Sequence, residues 1–283
     1  MSTLFPKYDL HCHSTASDGS LPPEELLQRA LDRRVEVLSL TDHDTLNGVK
    51  KIIEQKNELL KFIPGLELTA NWNNRMLHIV GLGVDPADCN LNSYLRRLNE
   101  LRQKRADKIC ERLIKAGISR EALCAAVKIH AADAIIGRPH IAKALVDIGA
   151  VNSEQAAFKQ YLGAGKTGDV KMDWPGFEEA IAVIKGAGGE AVLAHPTKYK
   201  MTFTKIRSVV TDFVSEGGTA IEASYTGISP NHQAELERLA RKMDIMISAG
   251  SDFHSPSYGW TDIGKFPPVL DDSNHVLAKL LQA

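Results

Sequence analysis

The stretch Tyr8-Asp9-Leu10-His11-Cys12-His13-Ser14 decides how this chain is read. A short run that opens as a strand ends in two imidazoles separated by one residue. In an extended strand, residues i and i+2 share a face. His11 and His13 therefore project together, and Cys12 points the other way. Two imidazoles side by side form half a site for a transition metal. A lone His-x-His can equally be a polar strand end, so the reading depends on partners elsewhere.

Working outward, the pattern returns near the other end of the chain. Ser248-Ala249-Gly250-Ser251-Asp252-Phe253-His254 repeats the period-two spacing with a carboxylate and an imidazole. Asp18 follows the first cluster. Ser39-Leu40-Thr41-Asp42-His43-Asp44 closes a buried run; Asp44 or Thr45 suits a helix N-cap, which leaves His43 unexplained. Glu67 closes the run after Pro64-Gly65, His78 lies in MLHIVGL, and His195 lies in Ala194-His195-Pro196. Each of the last three alone fits a structural role. Together, His11, His13, Asp18, His43, Glu67, His78, His195, Asp252 and His254 all fall at or beside expected strand ends. Burying so many unpaired imidazoles and carboxylates costs several kcal/mol apiece. Metal coordination removes that cost.

The hydrophobic pattern says what carries these residues. Strands are expected at Tyr8 to Leu10, Val35 to Leu40, Phe62 to Leu68 and Met76 to Leu82, with helices starting at Pro22-Pro23 and near Thr45 or Leu46. This βαβ spacing argues a mostly parallel sheet. From Leu91 to Gly168 helical periodicity takes over in LNSYLRRLNELRQKRADKICERLIKAG, EALCAAVK and HIAKALVDIG. After Trp174-Pro175 the alternation resumes: a helix over Gly176 to Gly186, strands at Glu190 to Ala194, Gly218 to Ala223 and Ile245 to Ala249, and a helix over Asn231 to Lys242. The expected fold is α/β, a barrel formed by residues 1–90 and 169–283 and split by an all-helical insertion, 91–168. Barrels of this class carry their chemistry at the carboxyl ends of the strands.

Composition narrows the partners. Lys and Arg number 34 against 35 Asp and Glu, for a net charge of −1. That excludes the basic footprint of a protein that coats nucleic acid, but a metal site can supply positive charge for a small anion. Four scattered cysteines with no Cys-x-x-Cys pair suit reduced thiols and a cytoplasmic setting. The start of the chain lacks a signal-peptide pattern, and no apolar run approaches about 20 residues. The expectation is a cytoplasmic protein with no membrane span and no stable protein partner.

The set DLHCHS, SDG, LTDHD, PGLEL, HIVGL, AHP and GSDFH resembles the polymerase and histidinol phosphatase (PHP) superfamily. Within it the chain looks most like the bacterial branch that hydrolyses nucleoside 3′,5′-bisphosphates and trims short RNA from its 5′ end. The resemblance covers most of the chain, including GRPH at 137–140 inside the helical block. One small departure is Arg34-Val35, where the family often has a glycine. The implied fold is a distorted (β/α)7 barrel with an inserted all-helical domain. The implied cofactors are three divalent ions. One would be held by His11, His13, Glu67 and Asp252; a second would share Glu67 and add His78 and His195; a third would take Asp18, His43 and His254. Ligand type alone leaves Mn²⁺, Fe²⁺ and Zn²⁺ open, and the resemblance favours Mn²⁺.

The implied activity is a phosphoric monoester hydrolase acting on small nucleotides, with short RNA as a second substrate. His195 and His254 are the candidates for relaying a proton. Arg138 and His140 are the candidates for anchoring a second phosphate, because arginine offers a bidentate fork; Gly137-Arg138-Pro139 also reads simply as a helix start. The basic stretch Arg96 to Lys115 reads as a solvated helix face before an RNA track, and Trp72 as packing before a base-stacking platform. Three rivals stand beside this reading. A histidinol-phosphate phosphatase needs no second anchor. A metal amidohydrolase needs no Asp18, His43 and His254 set. A metal-stabilised interaction module would hydrolyse nothing.

Overall fold

The strand leading to the first histidines is very short and ends before them, and its neighbours explain why. In a computed structural model that describes residues 5, 7–55 and 58–282, β1 spans only Tyr8–Asp9. It pairs in parallel with β2 (Val37–Leu40), Tyr8 opposite Val37 and Asp9 opposite Leu38. Beyond Asp9 the chain turns to the last strand instead: Leu10 N–H donates to the Ala249 carbonyl at 3.3 Å and His13 N–H to the Phe253 carbonyl at 2.9 Å. These bonds draw the two edges of the sheet together.

Between β1 and β2 lies α1 (Pro23–Asp32), which begins with proline and places Glu24 and Glu25 in its first turn, where the helix dipole favours acids. After β2 comes α2 (Asn47–Ile52), then β3 (Lys61–Trp72) and β4 (Arg75–Leu82). Four helices follow, α3 (Cys89–Lys115), α4 (Arg120–Ala131), α5 (Arg138–Asp147) and α6 (Glu154–Ala157), the last continued by a π turn over Phe158–Leu162. The alternation then resumes with α7 (Phe177–Gly186), β5 (Glu190–Leu193), a 3₁₀ turn over Pro196–Tyr199 and α8 (Phe203–Ser215). It closes with β6 (Ala220–Tyr225), α9 (Pro230–Met243), β7 (Met246–Gly250) and α10 (Leu277–Leu280).

The seven strands form one sheet in chain order, curled into a nearly closed barrel. Two features differ from the expected alternation. The chain from Phe62 does not stop at Leu68 but runs on to Trp72, reverses at Asn73 and Asn74, and returns as β4. Both asparagines have positive φ, 48° and 62°, the conformation a two-residue hairpin needs and asparagine tolerates. β4 is therefore antiparallel to both β3 and β5, and no helix separates β3 from β4. The second feature is α8, which the sequence reading passed over. Its Ile206, Val209, Val210 and Phe213 are buried at spacings of three, one and three, the period of a helix; its many β-branched residues mask that signal.

The chain divides into two compact units, residues 1–94 with 175–283, and residues 95–174. The first buries Leu10, Val37, Ile63, Val80, Val192 and Ala220 between strands and α10. The second has its own core, built from Ile109, Leu113, Leu123, Ile141, Leu145 and Leu162 of its helices. Among the described residues, no helix is long and apolar enough to cross a membrane.

Candidate metal centre

The nine candidate ligands all belong to the barrel unit, and the structure brings them together. Glu67, fully buried on β3, is the hub. Its Oε1 lies 2.9 Å from His195 Nε2 and 3.0 Å from His78 Nδ1; its Oε2 lies 2.9 Å from His43 Nδ1. His11 Nε2 and His13 Nε2 are 3.1 Å apart, and each is 3.4 Å from Glu67 Oε2. Asp252 Oδ1 faces the same pair at 3.5 and 3.3 Å. Beside them, Asp18 meets His254 Nε2 at 3.5 Å and His43 Nε2 at 3.8 Å. Among the described residues, four groups have the spacing that one ion requires: His11, His13 and Asp252; His11, Glu67 and His195; His43, Glu67 and His78; and His13, Asp18, His43 and His254.

Local backbone geometry sets these positions. Asp44, His195 and Asp252 follow β2, β5 and β7, and all three have positive φ, 51°, 29° and 52°. A left-handed non-glycine residue costs roughly 1–2 kcal/mol, and such strain persists where surrounding contacts fix it. Asp252 N–H donates to the His11 carbonyl at 2.8 Å. The close approach of β7 to β1 requires Gly250, where a Cβ would stand 2.5 Å from the Cβ of His11.

Several buried carboxylates hold this framework without being candidate ligands. Asp9 accepts from the backbone N–H groups of His11 at 3.2 Å, Ser251 at 2.8 Å and Gly264 at 2.7 Å. Asp42 accepts from Ser14 N–H at 2.8 Å and from the Ser14 and Ser17 hydroxyls, each at 2.6 Å, which shapes the loop leading to Asp18. Asp44 accepts from Thr69 N–H at 2.6 Å, while Thr45 Oγ1 accepts from Asn47 N–H at 3.0 Å at the start of α2. Glu222 on β6 accepts from His11 Nδ1 at 2.7 Å and from the His195 N–H at 2.7 Å. Glu222 lies within GTAIEA, which the sequence marks only as a strand. A charged residue inside such a run was the available signal.

The electrostatics are those of a site built around positive charge. Burial works against an ionised Glu67, yet His43, His78 and His11 outweigh it and hold the carboxyl well below its usual range. Burial opposes ionisation of Asp252 too, and His11 and Lys198 overcome it. His13 is pushed down to about 3 by burial and then by His254, so it is a neutral donor at neutral pH.

These residues fit divalent ions. Glu222 as a carboxylate can only accept, so His11 carries a proton on Nδ1 and presents Nε2 to Glu67 and Asp252. A buried imidazole aligned between a carboxylate and a cluster of oxygen and nitrogen donors is the usual surrounding of a metal ligand. His195 Nε2 likewise points at Glu67, with its Nδ1 buried and lacking a hydrogen-bond partner. Mixed imidazole and carboxylate donors suit Mn²⁺, Fe²⁺ or Zn²⁺.

The two expected phosphate anchors lie in the helical unit. Arg138 begins α5, and its guanidinium shares one opening with Arg102, Arg105 and Gly137. Burial, then the neighbouring Arg138 and Arg102, pulls Arg105 down to about 10, which marks a place short of negative charge. His140 is buried, and its Nδ1 accepts from Gly137 N–H at 3.0 Å, so it also caps the helix. Trp72 packs: its Nε1–H donates to Asp212 at 2.8 Å and Lys205 covers its ring at 4.7 Å.

The PHP domain family matches residues 9–104. A 5′-3′ exoribonuclease of Haemophilus influenzae is 42% identical over 94% of this chain and 96% of its own. A 3′,5′-nucleoside bisphosphate phosphatase of Chromobacterium violaceum is 37% identical over 92% and 93%. Among solved structures, a C. violaceum protein described as an amidohydrolase, with bound sulfate and no metal, superposes with a TM-score of 0.88 at 34% identity, over 98% and 96% of the two chains. A Bifidobacterium adolescentis protein assigned as a metal-dependent phosphoesterase does so with a TM-score of 0.80 at 27% identity, over 97% and 95%.

Proposed function

This chain belongs to the PHP-domain family, and on that premise we propose that it is a metal-dependent phosphoesterase that removes the 3′-phosphate of nucleoside 3′,5′-bisphosphates. The products are a nucleoside 5′-monophosphate and phosphate. Short RNA, degraded from its 5′ end, is the second substrate. The observation that carries this reading is the convergence of five imidazoles, those of His11, His13, His43, His78 and His195, on the two oxygens of Glu67, with Asp252 beside His11 and His13.

We assign His11, His13, Glu67 and Asp252 to one ion, Glu67, His78 and His195 to a second, and Asp18, His43 and His254 to a third, with Mn²⁺ as the ion. Bound divalent ions supply a water ionised near neutral pH and neutralise charge on phosphate oxygens. The protein contributes orientation and proton placement. His254 donates its Nδ1 proton to the Asp252 carbonyl at 3.0 Å, which leaves Nε2 as its working atom. His195 is held by its backbone N–H and aims Nε2 at Glu67. These two histidines are also the proposed proton relays to the leaving oxygen, a role open to each Nε2 only while that nitrogen carries a proton instead of an ion. Arg138 and His140 are the proposed anchors for the second phosphate, with the clustered guanidiniums supplying the charge.

The grouping of Asp18, His43 and His254 with His13 favours a phosphoesterase over an amidohydrolase, which has no use for that set. The test is a product assay with adenosine 3′,5′-bisphosphate, histidinol phosphate and a short 5′-phosphorylated RNA, each with and without Mn²⁺. AMP and phosphate from the first, and nucleoside 5′-monophosphates from the RNA, are expected. Release from histidinol phosphate alone would replace the substrate assignment, and silence on all three would remove it.

A further inference from the structure

Among the described residues, Glu222 is the one buried carboxylate outside the ligand set that touches two of the assigned ligands. Its Oε1 accepts from His11 Nδ1 at 2.7 Å and its Oε2 from the His195 backbone N–H at 2.7 Å. It is 1% exposed. Its position on β6 is unusual as well. The register against β7 slips there, Glu222 opposing Ser248 and Ser224 opposing Ala249, a bulge of the kind that re-aims a side chain.

We propose that Glu222 is a positioning residue that sets the tautomer of His11 and the turn at His195, and thereby couples the ligand shells of two ions. This rests on the metal-centre reading above. A carboxylate offers acceptors to both donors that face it. The His195 N–H cannot become an acceptor, and His195 has φ of 29°, so this bond also holds a strained turn. The His11 ring can change: a neutral imidazole carries its proton on either nitrogen. With a carboxylate at Nδ1 a proton stays there, and Nε2 is the nitrogen left to face Glu67, Asp252 and His13.

Glutamine at this position makes a sharp prediction. It has one acceptor and one NH₂ group. Giving the oxygen to the His195 N–H avoids a buried unsatisfied donor, which costs roughly 1–3 kcal/mol. The NH₂ then faces His11 Nδ1 and forces it to accept. The proton moves to Nε2, into the space meant for the ion. Glu222→Gln is nearly isosteric yet should damage metal binding more than Glu222→Ala, which leaves His11 free to choose its tautomer. A residue that only filled space would show the reverse order, because alanine leaves the larger cavity.

The experiment measures Mn²⁺ stoichiometry and affinity for the wild-type chain and both variants, with circular dichroism as a check on folding. Histidine ring ¹H–¹⁵N correlation spectra are recorded on metal-free wild type and Glu222→Gln and on Zn²⁺-loaded wild type. We expect Glu222→Ala to lose roughly 10- to 100-fold in Mn²⁺ affinity and Glu222→Gln to lose more. His11 Nδ1 should be protonated in the wild-type chain and bare in Glu222→Gln. Equal or tighter Mn²⁺ binding by Glu222→Gln than by Glu222→Ala, or a protonated Nδ1 in Glu222→Gln, would overturn the proposal. Should neither variant fold, the Zn²⁺-loaded wild type decides: an ion on His11 Nδ1 instead of Nε2 overturns it. A wild-type chain that binds no ion defeats the metal reading, while the Nδ1 state of the metal-free proteins still judges the role of Glu222.

Discussion

Lys198 forms an ion pair with Asp252, so an ammonium group rests on a carboxylate assigned to a metal ion. The two roles compete for the same negative charge. Replacing the lysine should let the ion bind more tightly and should leave an anionic substrate less attracted. For a side chain 40% exposed, screening limits the effect to about 1 kcal/mol, or about fivefold. Lys198→Met should therefore lower the Mn²⁺ dissociation constant and raise KM for the bisphosphate. Opposite signs in a titration and a kinetic assay are the expected pair; a weaker Mn²⁺ affinity in the variant would refute it.

Glu67 contacts more of the assigned ligands than any other residue described. Glu67→Gln keeps the volume and removes the charge, so several kcal/mol of ion-dependent stabilisation should go with it. We expect turnover to fall by at least about 1000-fold, and elemental analysis of the purified variant to show ions missing. Retained ions together with near-normal turnover would displace Glu67 from the centre of the site.

Metal removal should be visible in stability as well as in activity. An ion that binds only the folded chain, at 100 times its dissociation constant, contributes roughly 2.7 kcal/mol. Chelation should lower the thermal midpoint and abolish hydrolysis, and Mn²⁺ should restore both. An unchanged midpoint after verified metal loss would favour a site that assembles without ions.

Arg138 should matter for one substrate class only. A lost charged contact to phosphate is worth roughly 1.5–3 kcal/mol. Arg138→Ala should raise KM for a 3′,5′-bisphosphate about 10- to 100-fold and leave a substrate with a single phosphate nearly unaffected. Equal effects on both would place the arginine elsewhere in the reaction.

His275 gives the fold a pH dependence of its own. Buried against Tyr8 and Phe5, its imidazole is pushed down to about 4 by burial, whereas in the unfolded chain it titrates near 6.5. As pH falls, the unfolded chain takes the proton first. Stability is therefore full above about 6.5 and declines toward pH 4, by about 3 kcal/mol at most. Urea midpoints of metal-free protein at pH 7.5 and 5 should separate less for His275→Phe than for the wild-type chain. Equal separations would contradict the assignment.

What the sequence revealed and what it hid have physical reasons. Period-two spacing exposed the pair His11 and His13 although β1 ends at Asp9, because the chain just beyond it is still bridged, Cys12 to Phe253, and turns both imidazoles to one side. The strand ends at Asp42-His43, Glu67 and His195 were legible because an apolar run that stops in a charge needs an explanation. The β3–β4 hairpin was missed although Asn73-Asn74 announced it, since both strands were assigned to a parallel alternation. Asp9, Asp42 and Glu222 were not singled out because most of their partners, backbone amides, serine hydroxyls and one imidazole, are distant in the chain. Spacing rules see neighbours, and these carboxylates act across the barrel.

The bonds from Asp9 to Ser251 and Gly264 span 242 and 255 positions, and they impose an order on biosynthesis. A chain leaving the ribosome presents His11 and His13 long before Asp252 and His254. The helical unit, whose core runs from Ala106 to Val170, can settle while translation continues, because its contacts are local. The ion cage cannot. Loading of the complete cage with divalent cations is thus deferred until Asp252 and His254 have left the ribosome and can join the first two histidines.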